Sequence, residues 1–185
     1  MALLTPRLQA ARYGRIQPHI KGRVLDLGCH RALIYEQHGA DLDAYCGVDY
    51  DEAIIAENRE RFPEVRFEVR HLDDDDLDLG ETFDTVLMVA LIEHLFNQKH
   101  VLTQVKEALA PGGTVVITSP TPIGNDVVHA TGSRLGLFAK DATDDHVIVF
   151  NRRRLAILAD EVGLRLAEHE YFQLRCNQLA LLRHA

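Results

Sequence analysis

Apolar residues fall in short runs separated by stretches of helical spacing, and this alternation predicts most of the elements. Residues 23–28 (RVLDLG) form a mostly apolar run ending at glycine, the pattern of a buried strand. Residues 32–38 follow as a helix, and 44–49 (AYCGVD) as a second strand. Asp51 is placed to cap a helix that Pro63 ends. In 65–69, Val65, Phe67 and Val69 alternate with charge and predict a third strand. An acidic connection, 71–80, leads to a fourth at 83–89 (FDTVLMV). Val101, Leu102, Val105, Ala108 and Leu109 then share one helical face. Pro111-Gly112-Gly113 is expected to stop that helix and turn the chain into a fifth strand, 114–118 (TVVIT).

The remaining chain is less regular at first. Residues 119–150 lack a clear period and read as an inserted loop, with one short helix expected around 134–138. Asn151 caps a helix carrying Leu155, Leu158, Ala159 and Val162 on one face, ended by Gly163. Two closing strands, 164–171 and 174–182, have no helix between them and read as an antiparallel edge pair. Strands alternating with helices imply a mostly parallel sheet with helices on both faces. The expected architecture is therefore a doubly wound α/β domain with seven strands, spanning residues 1–185. Thr5 as N-cap and Pro6 at the first helical position predict a leading helix within residues 1–22. The lack of acids before Asp26 also fits a transit peptide, but the cap and proline favour the helix.

Composition narrows the function. The 185 residues suffice for one core and are too few for two comfortable ones. A formal charge of -8 opposes a nucleic-acid surface, which draws on clustered Lys and Arg. No apolar run is long enough to span a bilayer, and no secretory signal is visible. Cys29, Cys46 and Cys176 show neither metal spacing nor a disulfide framework, which points to a reducing, cytoplasmic setting.

In open α/β sheets, ligands lie beyond the carboxyl ends of the strands. Four stretches occupy such places. The first, after strand one, reads Asp26-Leu27-Gly28-Cys29-His30-Arg31-Ala32. Asp49 and Tyr50 end strand two, about the spacing from Asp26 at which an acid meets a ribose. Leu72-Asp73-Asp74-Asp75-Asp76 follows strand three; most of that run also suits a solvated acidic loop, and no ligand spacing marks a metal site. The fourth is Met88-Val89-Ala90-Leu91-Ile92-Glu93-His94-Leu95, with Leu109-Ala110-Pro111-Gly112-Gly113 one helix later.

The first stretch resembles the opening motif of class I S-adenosylmethionine-dependent methyltransferases, an acid followed by G-x-G-x-G. Asp26, Gly28 and Cys29 match it, whereas His30 and Ala32 replace two glycines. The fourth resembles the V-L-E-H stretch and L-x-P-G-G turn of the group that includes ubiquinone and menaquinone biosynthesis enzymes. His146 to Phe150, Leu155 and Val162-Gly163-Leu164 resemble the ending of that group. The resemblance covers residues 24 to about 165 and implies a Rossmann-like fold, S-adenosylmethionine as cofactor, and methyl transfer to a small-molecule acceptor, most often at oxygen. It implies cofactor contacts from Asp26, Gly28, Cys29, His30, Asp49, Tyr50, Leu72, Asp73 and Val89. Asp49 would take the ribose, Tyr50 would flank the adenine, and Asp73 would meet the adenine amino group, with His71 or Asp74 as alternatives.

His94 and His146 are the candidate general bases, with a titration range suited to neutral pH. Each also suits a structural role, capping a helix or bridging carbonyls. The loop 119–150, with Asn125, His129, Arg134 and Phe138, is the expected acceptor pocket. Arg152-Arg153-Arg154 opens a helix against its dipole, so these arginines either meet an anionic acceptor or form a solvated face. Two other classes stay in view. A nicotinamide enzyme needs a G-x-G-x-x-G pyrophosphate cradle, of which this turn keeps one glycine. A degenerate nucleoside-binding or partner subunit would follow if His30 and Ala32 spoil the turn.

Overall fold

A computed structural model describes residues 5–124 and 147–185, with side chains from residue 9 onward. Five strands run parallel: β1 (Arg23–Leu27), β2 (Ala44–Asp49), β3 (Arg66–Val69), β4 (Phe83–Val89) and β5 (Leu109–Pro120). They join β6 (Leu164–Phe172) and β7 (Asn177–His184) in one sheet, ordered β3-β2-β1-β4-β5-β7-β6. The helices are α1 (Thr5–Ile16), α2 (Leu33–His38), α3 (Glu52–Arg61), α4 (Gln98–Ala108) and α5 (Arg152–Glu161).

The central strands are apolar on both faces because both are covered. Leu25, Leu27, Val86, Met88, Val115 and Ile117 pack with Val101, Leu102 and Val105 of α4 and Leu155 and Ala159 of α5. Val24, Leu87 and Val116 face the other way, with Ile16, Ile34 and Ile55 from the α1, α2 and α3 side. Asp51 caps α3, its Oδ1 accepting from the amides of Ala53 at 2.9 Å and Ile54 at 3.1 Å. Asn151 caps α5 through the Arg154 amide. Both caps follow the expectation.

One expectation needs correction. The proline-glycine turn does not separate helix from strand. β5 begins at Leu109, which pairs with Phe83, and Thr114 pairs with Thr85. Ala110–Gly113 therefore bulge out of a strand that has already begun, with Gly112 at φ +80 supplying the left-handed bend. The closing pair is antiparallel and lies at one edge of the sheet, as expected, with β6 outermost. β7 lies between β5 and β6 because its run from Gln178 to Leu182 is buried throughout. β6 alternates charge and tolerates an open side.

Smaller shifts are one residue or a few. β1 stops at Leu27, α2 starts at Leu33, β3 starts at Arg66, and β7 starts at Asn177. The expected short helix at 134–138 lies outside the described residues, as do Asn125, His129, Arg134, Phe138 and His146.

From β1 the chain steps outward through β2 to β3, then returns to place β4 on the other side of β1. The connections leaving β1 and β4 thus diverge, which opens a crevice at the carboxyl end of the sheet.

Candidate functional site

The crevice is built first by the turn after β1. Gly28 has φ +71, where a side chain is strained, and a Cβ there would come within 3.1 Å of the Leu91 side chain, so glycine suits both the bend and the close approach. The amides of Gly28 and Cys29 donate to the Val48 carbonyl at 2.8 and 3.0 Å, anchoring the turn to β2. His30 and Ala32 also adopt the left-handed region, at φ 45 and 52. They therefore occupy glycine-type conformations without being glycine. The His30 side chain is exposed, its amide donates to Asp49 Oδ2 at 2.9 Å, and its carbonyl accepts from Asn58 Nδ2 at 2.6 Å.

Asp49 is buried at the end of β2. Oδ2 takes the His30 amide, and Oδ1 takes the Asp51 amide at 3.1 Å. Two backbone donors thus fix the carboxylate, and each oxygen keeps a lone pair for a further donor.

Two hollows share Gly28 as a common wall. One of about 240 Å³ is lined by Gly28, Asp49, Tyr50, Arg70, His71, Leu72, Asp73, Asp74, Leu91, His94 and Leu95. The other, of about 220 Å³, is lined by Gln9, Arg12, Tyr13, Asp26, Gly28, Cys29, His30, Arg31, Leu33, Ile34 and Val89. Together they fall within roughly the 300–1,000 Å³ usual for small-molecule sites. Larger hollows lie elsewhere, one of about 520 Å³ near 76–82 and 107 and one of about 540 Å³ between α1 and β6. The first meets the chain just before β4, at the opposite end of the sheet from the crevice, and the second lies against β6 and β7, away from the switch between β1 and β4.

Every expected cofactor residue lines one of the two adjoining hollows, and so does His94. The structure divides them. Asp49, Tyr50, Leu72, Asp73 and His94 belong to one hollow, and Asp26, Cys29, His30 and Val89 to the other. Tyr50 is 67 % exposed and its ring lies 6.0 Å from that of His71, so the two form one border of the larger hollow. Asp73 Oδ1 accepts from the amides of Phe96 at 2.9 Å and Asn97 at 2.7 Å, which ties this loop to the start of α4. His94 closes a short 3₁₀ turn after β4, its amide donating to the Leu91 carbonyl at 2.9 Å. Cys29 is buried and its thiol is pushed far up by burial, as befits a packing residue.

Asp26 is buried and accepts the Tyr45 hydroxyl at 2.7 Å. Burial pushes its carboxyl up to about 7, against the opposing Tyr45 hydrogen bond. Glu93 is equally buried, and burial likewise pushes it up to about 7, opposed by its own amide and by Arg12. Its carbonyl accepts from the amides of Val147 and Ile148 at 2.9 and 3.3 Å, so the chain returning from the insertion lands here.

Arg12 and Tyr13 of α1, and the carboxyl of Glu93, were not singled out from sequence. Nothing in a leading helix indicates which strand ends it will cover. Only the placement of α1 over the β1 turn brings Arg12 and Tyr13 to the crevice. Among the described residues no cluster of His, Cys, Asp and Glu could hold a metal ion, and no helix is long and apolar enough to cross a membrane.

This arrangement can be set beside known proteins. A family model described as a methyltransferase domain matches residues 6–169. A Mycolicibacterium smegmatis protein named as a probable S-adenosylmethionine-dependent methyltransferase is 36% identical over 118 residues, covering 60% of this chain and 43% of that one. A similarly named Mycobacterium tuberculosis protein is 33% identical over 118 residues, covering 60% and 40%. The chain thus spans about two fifths of the length of these relatives. The solved structure titled "DhpI-SAM-HEP complex" superposes with a TM-score of 0.73 at 18% identity, covering 98% of this chain and 87% of that one. The solved structure shares the fold of this chain. With the family model running from α1 into β6, across every strand end that lines the crevice, the chain belongs to the methyltransferase-domain family.

Proposed function

We propose that this protein binds S-adenosylmethionine in the paired hollows and transfers its methyl group to a small-molecule acceptor, at oxygen. One observation carries the reading: Gly28 and Asp49 line the same hollow, and Gly28 also borders the hollow of Asp26. A single elongated ligand with a ribose at its middle satisfies both.

The cofactor, when bound, supplies a methyl carbon made electrophilic by its sulfonium. The protein's part is then largely alignment of donor and acceptor. Asp49, held by two amides, accepts the ribose hydroxyls. Tyr50, Leu72 and Leu91 give the adenine apolar surface, and Asp73 offers its second oxygen to the amino group. The left-handed turn at Gly28 lets the backbone approach without a side chain between. His94 lines the same hollow and serves as base for a hydroxyl acceptor. The loop 119–150, which returns to Glu93, furnishes the acceptor pocket, with His146 as a second base within it. The polar turn after β1 offers no three-glycine cradle for a pyrophosphate, which sets a nicotinamide cofactor aside.

Calorimetry with S-adenosylhomocysteine tests the placement. The parent should bind at micromolar concentration, and Asp49→Ala should weaken binding by about 10–100-fold, the worth of charge-assisted hydrogen bonds of roughly 1.5–3 kcal/mol. Equal affinity in the variant removes the ribose from Asp49. No binding by the parent at millimolar ligand removes the cofactor altogether and favours a degenerate subunit. A panel of hydroxyl and amine acceptors with labelled cofactor tests the atom, and label on amines alone excludes oxygen.

A further inference from the structure

Among the described residues, the large apolar side chain most open to solvent is Leu174, 96 % exposed in the turn between β6 and β7. Gln173, Leu174 and Arg175 make this turn at φ 51, 56 and 67, three successive left-handed residues that all carry side chains. Such residues rarely adopt that conformation. The turn is held from behind by the chain leaving β5. The Thr121 amide donates to the Cys176 carbonyl at 3.0 Å, and its hydroxyl donates to the Arg175 carbonyl at 2.5 Å. Gly124 comes so close that a Cβ there would meet the Cys176 oxygen at 2.0 Å. Leu174 therefore projects from a fixed tip. Ile123, half exposed, and Tyr171 flank the same turn. Because β6 runs parallel to β5, this tip stands at the carboxyl end of the sheet, the end that holds the crevice.

Charge gathers at the same place. Gln178 Nε2 donates to the carbonyls of Pro120 at 3.3 Å and Phe150 at 2.7 Å, which sets the entry to α5 beside the end of β5. Arg152 and Arg153 are exposed there, and the Arg175 guanidinium lies 4.8 Å from the centre of the Tyr171 ring. None of the three forms an ion pair among the described residues. The stretches that meet here, 109–124, 147–159 and 171–185, contain no Asp or Glu, although the chain holds 28. A basic and apolar rim thus stands on a protein of net charge -8. A convex apolar tip ringed by arginines suits hydrocarbon beneath anionic headgroups, whereas a folded partner would have to offer a matching hollow. We propose that this rim docks on an anionic phospholipid surface, with Leu174 and Ile123 entering the apolar layer and Arg152, Arg153 and Arg175 meeting the headgroups. Docking turns the mouth of the crevice toward the lipid. The proposal stands on the rim alone and does not rest on the cofactor reading.

Sedimentation of the full chain with vesicles tests this. One set is phosphatidylcholine alone, and the other is phosphatidylcholine mixed with phosphatidylglycerol. The parent should partition onto the mixed vesicles at least about tenfold more strongly than onto the neutral ones, and raising salt to about 1 M should remove most of that difference. Leu174→Asn keeps a residue that tolerates the left-handed turn, so the fold should hold while partitioning falls by about tenfold. Arg152→Gln and Arg153→Gln should each cost roughly fivefold on mixed vesicles only. Arg165→Gln, an exposed arginine at the other end of β6, should change nothing. No partitioning onto mixed vesicles overturns the proposal, and so does equal partitioning onto both sets. An unchanged Leu174→Asn variant, or an equal loss in Arg165→Gln, overturns it as well. If sedimentation velocity shows a dimer that Leu174→Asn dissolves, a second copy covers the tip and the lipid assignment falls.

Discussion

His30 and Ala32 show how one departure from glycine differs from another. Both have positive φ, where a side chain costs on the order of 1 kcal/mol. Ala32 is fully buried and its methyl packs in the core beside α2, which offsets the strain at roughly 0.8 kcal/mol per buried carbon. His30 is exposed and gains no such packing. His30→Gly should therefore stabilise the protein by about 0.5–1 kcal/mol. The midpoint of thermal unfolding should rise by about 2–4 °C per kcal/mol. Affinity for S-adenosylhomocysteine should hold or improve, because the bonds to Asp49 and Asn58 come from the backbone. A large loss would identify the imidazole as a contact. A lower melting point would show that the turn depends on the side chain.

Asp26 makes the opposite trade. Its carboxyl is held near 7 in the folded chain and near 4 in an unfolded one. The native state therefore binds more protons between those values, and stability falls as pH rises through the window, by about 1.4 kcal/mol for each unit of separation. Asp26→Asn removes this titration and still accepts from Tyr45. Urea denaturation should find the variant close to the parent at pH 4 and more stable at pH 8. Glu93 titrates in the same sense but is present in both proteins, so the difference isolates Asp26. Parallel stability profiles would place the charge of Asp26 elsewhere.

At the scale of elements, the loops after β3 and β4 are joined by one residue. Asp73 accepts two amides at the entry to α4, where Asn97 is the cap. Asp73→Ala leaves two donors without their acceptor and should cost about 1 kcal/mol in chemical denaturation, with Asp73→Asn milder. Both variants should also weaken the adenine end of the site, because the Asp73 part of the loop lining it loses its tie to the start of α4, while Gln104 still holds Leu77 and Asp75. Unaltered stability in the alanine variant would mean that water replaces the carboxylate without loss. The elements themselves were largely legible. β2, β4 and the caps Asp51 and Asn151 followed from apolar runs and local capping chemistry, which depend on neighbours in sequence. β5 was not fully legible. Its first residue pairs with Phe83, and the Pro111-Gly112-Gly113 signal marks a bulge within the strand as readily as a break before it.

At the scale of the molecule, alternation of strand and helix along the chain implied the parallel sheet, and the same residues placed Gly28, Asp49, Tyr50, Asp73 and His94 at strand ends. That much the sequence determined alone, because period and capping are local and the carboxyl ends of a parallel sheet share one side. The tertiary structure decided what distance along the chain conceals. It put β7 inside the sheet, because five successive buried residues need neighbours on both sides. It divided the site residues between two hollows meeting at Gly28. It also carried Arg12 of α1 to the hollow of Asp26 and within electrostatic reach of Glu93. Such meetings are set by how helices pack on a sheet, and no spacing along the chain encodes them.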